Sequence, residues 1–321
     1  MGASEVSVTG VSSSAGEKRA TFASRLGTPN SRRRALRGWL FISPWVVGFL
    51  ILTLYPFGAS LYYSFTNFSI VKSPRWIGLT NYRELFTDHL FWTSLFNTCY
   101  YAAIEIPLST ALAIGLALLL NMKVKGLAVY RTMFYLPSVV PLVAASVIWL
   151  WLFNPSFGVV NSVLGYAHIA GPGWLFSATW AKPTFILLGF WGLGAPMVIY
   201  LAALQGVPQE MYEVSSLEGA SAWQRTRYVT LPMISPAILF NVVLGIVAAF
   251  QYFTQAFIIT NGGPNNSTLF YSLYLYEQAF TFLHMGYASA MAWMLFVIIV
   301  IVTLGLFRSS SRWVYYAGGS N

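Results

Sequence analysis

An all-α integral membrane protein of about six transmembrane helices is the fold class that three features of this 321-residue chain predict. Charged residues are only 8% of it and apolar ones 57%, against roughly 25% charged in an ordinary soluble domain. Residues 38–71, 132–181, 183–209, 228–276 and 278–307 hold no Asp, Glu, Lys or Arg, and Glu105 alone interrupts 89–122. Each stretch exceeds the ~20 residues that cross a ~30 Å hydrocarbon layer. The runs also lack the ~10-residue alternation of barrel strands. Helix is the remaining way for a backbone in lipid to pair its own polar groups.

The elements follow in order. Residues 1–37, rich in Ser, Gly and Arg, are expected to form a disordered basic tail. Its SRRRALRG leads into a span-length apolar run, which reads as an anchor and not as a cleaved export signal. Spans are expected at 39–65, 91–120, 132–153, 183–205, 237–260 and 285–307, inside a membrane domain of residues 38–308, followed by a short tail at 309–321. Pro44, Pro56, Pro107, Pro137, Pro141 and Pro196 fall within these spans and read as kinks, tolerated where neighbours satisfy the freed carbonyls. Fourteen of the eighteen Lys and Arg lie in the two tails, the second-to-third loop and the 207–236 loop. That bias places both termini in the cytoplasm. The net charge of +9 is therefore a topology signal and implies no nucleic acid. Trp76, Trp92, Trp174 and Trp180 read as interfacial anchors. Cys99 stands alone and His89, His168 and His284 have no ligand spacing, so no disulfide and no metal is expected.

One segment breaks the apolar pattern. YEVSSLEGASAWQRTRYVTLP, residues 212–232, carries two acids and two arginines between long apolar runs. Val207-Pro208 suits the start of a helix, Glu210 and Glu213 suit its early turns, Gly219 interrupts, and Ser221 suits the cap of a second short helix. Two short helices hinged at a glycine result. Val214, Leu217, Ala220 and Trp223 give them an apolar side, which in water requires a partner. That partner is either lipid or a protein; the acidic first helix favours a protein bearing positive charge.

Glu213-Val-Ser-Ser-Leu-Glu-Gly219, nine residues, then Val229-Thr-Leu231-Pro232 resembles the EAA loop of ABC-importer permeases: Glu-Ala-Ala, three residues, Gly, nine residues, Ile, one residue, Leu-Pro. Val214, Ser215 and Val229 depart from it conservatively. Residues 78–98, 130–143, 151–161, 201–208, 260–268 (TNGGPNNST), 285–290 and 312–316 (RWVYY) resemble the carbohydrate, maltose/oligosaccharide-type branch of these binding-protein-dependent permeases. The resemblance covers residue 37 onward. It implies that the loop is a coupling helix docked on a cytoplasmic ATPase, with Glu213, Leu217, Glu218, Gly219, Ala220, Leu231 and Pro232 as contact or hinge positions. It implies a second homologous permease, two ATP-binding subunits, an extracytoplasmic solute-binding protein, a sugar cargo and a place in a bacterial or archaeal cytoplasmic membrane. GxxxxGK[ST] is absent, so ATP and Mg are expected on the partner, and the chain itself is expected to be no enzyme and to hold no cofactor.

Gln251 and Gln255, four residues apart, are expected on one helix face beside Tyr252. Amides and a ring suit sugar hydroxyls and ring faces; interhelical hydrogen bonding is the alternative. Carrying the maltose-type relative's sugar-lining positions across on the LPSVVP and NGGP landmarks gives Ser138, Leu142, Gly192, Ala195, Ala248, Ala249 and again Tyr252, mostly small or apolar here. Glu105, the one acid inside a span, is expected to face the bundle as a packing or helix-break residue near Pro107, or as a relay or substrate contact. Permeases for glycerol phosphate or polyamine remain alternatives. A proton-coupled secondary transporter would need more intramembrane ionisable groups, and a membrane enzyme a cluster of catalytic ones.

Overall fold

The protein's structure, a computed structural model, describes residues 29–122 and 125–315. The chain divides after Ser60 into two units. In the first, α1 (Pro29–Phe49) passes through a five-residue π turn, Leu50–Leu54, into α2 (Tyr55–Ser64), whose last four residues belong to the second unit. Residues 29–37, expected in a disordered tail, are helical: Ala, Leu and Arg are good helix formers, and the apolar helix they lead into supplies the nucleus. Residues 1–28 and 316–321 of the two expected tails lie outside the described residues.

The second unit contains α3 (Thr80–Thr87), α4 (His89–Leu120), α5 (Leu127–Val139), α6 (Leu142–Leu152), α7 (Val159–Tyr166), α8 (Ala181–Gly189) and α9 (Gly194–Gln205). After them come α10 (Gln209–Leu217), α11 (Ala222–Arg225), α12 (Leu231–Met233), α13 (Ser235–Phe250), α14 (Thr254–Ile259), α15 (Tyr271–Tyr276) and α16 (Met285–Ser310). Four segments are long and apolar enough to cross a membrane: Leu36–Ser64, His89–Leu120, Ser235–Ile259 and Met285–Ser310. Two bent pairs raise the number to six if each is one span. Leu127–Val139 meets Leu142–Leu152 at 96°, and Ala181–Gly192 meets Gly194–Gln205 at 50°.

The bends correct the expectation of a single helix over 132–153. Pro141 has no N–H to give and holds Val140 extended, as a following proline does, so α5 stops and the chain turns. Pro107 does the opposite. α4 runs through it unbroken, and the helix-break role considered for Glu105 and Pro107 is not found.

α4 is the centre of the second unit, packed against α8, α9, α13 and α15. Its fully buried Ala113 and Ala117 let α9 approach closely, where Met197, Tyr200 and Leu204 complete one core; small residues do this in membranes because lipid offers no hydrophobic gain. A second core stacks Tyr101, Phe185, Tyr252 and Phe270, with ring centroids 4.6–5.8 Å apart.

Polar side chains tie the loops at one end of the helices. Asn97 donates to the carbonyls of Asn266 (2.9 Å) and Leu269 (3.0 Å) and accepts from Lys182 (3.1 Å). The Lys182 ammonium also lies over the Phe96 and Tyr100 rings at 5.3 and 5.2 Å. Asp88 caps α4 by accepting from the Leu90 N–H (2.8 Å), and both Tyr274 and Tyr287 donate their hydroxyls to it at 2.6 Å. Burial alone would push the Asp88 carboxyl up; these phenol hydrogen bonds, with the backbone N–H groups of Leu90 and Phe91, outweigh it and hold the group below the ordinary carboxylate value.

A depressed folded value means that Asp88 contributes stability above the ordinary carboxylate range of ~4 and loses it as pH falls through that range and below. The thermal midpoint of the purified wild type should therefore drop more steeply below pH ~4 than that of Asp88→Asn. Parallel curves would contradict the assignment.

Candidate functional site

The polar segment folds as two short helices joined by a bend. Pro208, expected in the first helical turn, sits one place earlier as the cap of α10, with Glu210 in the first turn. α10 ends in a Schellman motif: the Ala220 N–H donates to the Ser215 carbonyl (3.0 Å) and the Gly219 N–H to that of Ser216 (3.1 Å). Such an end needs a left-handed residue, and Gly219 supplies it at φ +79°. Ser221 and Gln224 then form a reciprocal capping box at the start of α11, and a π turn at Thr226–Thr230 carries the chain to α12.

Cross-links make this segment one body. Arg225 donates across the bend to the Ser216 hydroxyl (2.9 Å), and the Tyr212 and Thr230 hydroxyls meet at 3.1 Å. Ser235 donates to the Pro232 carbonyl (2.6 Å) and accepts from the Tyr315 N–H (2.9 Å), fixing the far end and the start of α13. Glu213, Leu217, Glu218 and Gly219 are exposed, and Ala220, Leu231 and Pro232 half-buried. Glu213 accepts from Gln209 at 2.9 Å. Leu217 is 89% exposed and Trp223 70%. Held this far out, they form an apolar tip on a capped, cross-braced support.

A cavity of about 560 Å³ opens between α4, α5, α6, α8, α9 and α13. Every interruption of those helices borders it. Pro137, Ser138 and Leu142 come from the α5–α6 break, Gly189, Trp191 and Gly192 from the α8–α9 bend, and Gln251, Tyr252 and Gln255 from the gap between α13 and α14. The pathway candidates Ser138, Gly192, Gln251, Tyr252 and Gln255 thus border one cavity, together with Leu142, Ala195, Ala248 and Ala249. The expectation of a single helix face for Gln251 and Gln255 is corrected. α13 ends at Phe250 and α14 begins at Thr254, so the break between them, and not their four-residue spacing, brings both residues to the cavity. Gly192 has open space where a Cβ would stand, whereas one on Gly194 would lie 2.5 Å from the Phe134 carbonyl oxygen. The first glycine widens the cavity and the second lets α9 touch α5.

Tyr101, Trp191 and Asn241 also line the cavity without having been expected there, and so does Glu105, for which a substrate contact was one of the alternatives. For Glu105 the signal was present in its cost: a lone acid in a span belongs where protein or water, and not lipid, surrounds it. At the end tied by Asp88, a second cleft of about 750 Å³ lies between α3, α15 and α16. Among the described residues no group of three His, Cys, Asp or Glu is placed to hold a metal.

Comparison with known proteins agrees with this geometry. Residues 109–314 match the family model described as binding-protein-dependent transport system inner membrane component. The probable ABC transporter permease protein YesP of Bacillus subtilis (strain 168) is 44% identical over 290 residues, covering 89% of this chain and 94% of that protein. The lactose transport system permease protein LacF of Rhizobium radiobacter is 33% identical over 275 residues, covering 84% and 92%. A chain in the crystal structure of a bacterial alginate ABC transporter in complex with alginate pentasaccharide-bound periplasmic protein superposes with a TM-score of 0.77 at 23% identity, over 87% of this chain and 96% of that one. That likeness shows the fold.

Because nothing lies within 4 Å of a Cβ built on Gly219, substitution there should act through φ alone, at about 1–2 kcal/mol for an ordinary residue. Gly219→Val should speed amide exchange across α10 and α11, and Gly219→Asn, which tolerates the left-handed region, much less. Equal exchange in the two variants would contradict the Schellman bend.

Proposed function

This chain belongs to the binding-protein-dependent transport system inner membrane component family and is a multi-pass permease of an ABC importer; from that premise we propose that it passes a sugar or oligosaccharide across a cytoplasmic membrane by alternating access. An extracytoplasmic binding protein delivers the solute, a second permease completes the path, and two ATPase subunits on the cytoplasmic side, where both termini lie, bind ATP with Mg and grip the 209–233 segment. The observation that carries the proposal is the exposed Leu217–Trp223 tip on its braced bend.

Magnitudes separate the roles within that tip. Moving a two-state equilibrium from 1:99 to 99:1 takes about 5.5 kcal/mol. An exposed ion pair supplies ~0.2–1 kcal/mol, so Glu213 sets register and does not drive the switch. Burying Leu217 and Trp223 in a partner cleft provides roughly 1.5–3 kcal/mol per large side chain, enough to hold the tip while the clamp moves. The braces matter because a loose segment would absorb the stroke.

Three features support a sugar. The cavity lining includes amides, tyrosine and tryptophan, and it includes no Lys or Arg, which an anionic solute would need. Its volume, about 560 Å³, lies in the ordinary range for small-molecule sites. The relatives are named for lactose and, in Thermoanaerobacterium thermosulfurigenes, for starch degradation products.

Vesicles carrying the whole transporter test the coupling. Glu213→Lys, which turns the attraction into a repulsion, should insert at wild-type levels and lose ATP-driven uptake by about fivefold. Normal uptake in that variant, or uptake driven by a proton gradient without ATP, would contradict the proposal.

A further inference from the structure

Glu105 is the one acid within the described membrane-crossing segments, and the coupling loop has no use for it. It projects from the middle of α4 into the cavity wall. Its carboxyl occupies a notch made by the absence of a side chain on α8: a Cβ on Gly189 would lie 2.9 Å from the Glu105 Oε1 and 3.2 Å from the Tyr101 hydroxyl. The Tyr101 and Tyr252 rings pack at 4.6 Å beside it. Tyr252 and Trp191 line the same cavity, and the buried Trp191 Nε1 meets no hydrogen-bond partner among the described residues.

Buried donors and acceptors without partners are uncommon, and in a membrane each costs several kcal/mol. Packing does not explain keeping a carboxyl, a phenol and an indole N–H around one cavity. A neutral polyol does. Its neighbouring hydroxyls donate to the carboxyl, and its ring face lies on the aromatic rings that line the cavity. We infer that Glu105 is a specificity-determining residue of the transport cavity, accepting hydrogen bonds from adjacent hydroxyls of an uncharged saccharide while Gly189 keeps the notch open. The inference rests on the sugar reading of the cavity and deepens it. It names a neutral, hydroxyl-rich cargo and the group that reads it.

A site built around substrate hydroxyls discriminates sharply against an analogue lacking one, and this sets the test. Proteoliposomes holding this chain with its partner permease, ATPases and binding protein are supplied with ATP. Uptake of maltose, trehalose and lactose, and of the monodeoxy analogues of whichever is transported, is measured for wild type, Glu105→Gln, Glu105→Ala and Gly189→Ala. The same binding protein presents each sugar to every variant, so the variant-to-wild-type ratio isolates the cavity. Glu105→Ala should reduce uptake of the parent sugar by about tenfold, Glu105→Gln less, and Gly189→Ala should reduce it while keeping the carboxyl. At least one monodeoxy analogue should be moved equally by variant and wild type, which a packing role would not produce. Gly189→Ala also serves if Glu105→Ala fails to co-purify with the ATPases. Ratios identical for the parent and every deoxy analogue would overturn the inference. Wild-type vesicles that take up none of the three sugars with ATP would overturn the sugar reading itself, and this inference with it.

Discussion

Backbone hydrogen bonding in lipid is the constraint on which the rest of this structure depends. A helix may stop inside a membrane only where protein or a polar cavity takes up the groups it frees. Here α5 stops at Val139, α8 bends after Gly189 and α13 ends at Phe250, and residues at all three places border one cavity. The interruptions and the cavity are one feature. The breaks need a protected space, and in return they turn Ser138, Gln251 and Gln255 into it from backbone that unbroken helices would have kept paired.

At the polar segment the same requirement is met by different means. There the free helix ends are satisfied within the segment, by the Schellman bend at Gly219 and the Ser221–Gln224 box. Side-chain ties from Arg225, Tyr212 and Ser235 then join it to itself and to the start of α13. α13 runs from those ties to the cavity break. Under the proposed function, a displacement of the bend would pass along this one helix to the residues at its far end, Gln251 and Tyr252.

Much of this was legible in the sequence, for reasons that differ by element. Absent charge exposed the membrane segments, because nothing else in a chain of this composition leaves thirty residues uncharged. The bend at Gly219 and the cap at Ser221 were legible because both are set by local backbone chemistry. The bends within spans were not. Pro107 sits in a continuous helix and Pro141 at a 96° turn, and the residue type alone does not tell the two apart. Gln251 and Gln255 line the cavity through the break between α13 and α14, and not through the single helix face that their spacing predicts. Tyr252 was reached from chemistry and from resemblance alike, and it borders the same cavity. The place of Glu105 was only half legible: its cost showed that it must avoid lipid, but the notch opposite, at Gly189, is eighty-four residues away along the chain.

Alternating exposure of this cavity under control of the docked ATPase is the central claim. Gly192, with open space at its Cβ position, reports on it most directly. In a background with Cys99 replaced by Ser, the thiol of Gly192→Cys in the assembled transporter should react with a membrane-impermeant maleimide from the cytoplasmic side without nucleotide. With ATP and loaded binding protein it should react from the opposite side. A labelling pattern that nucleotide leaves unchanged would contradict the account.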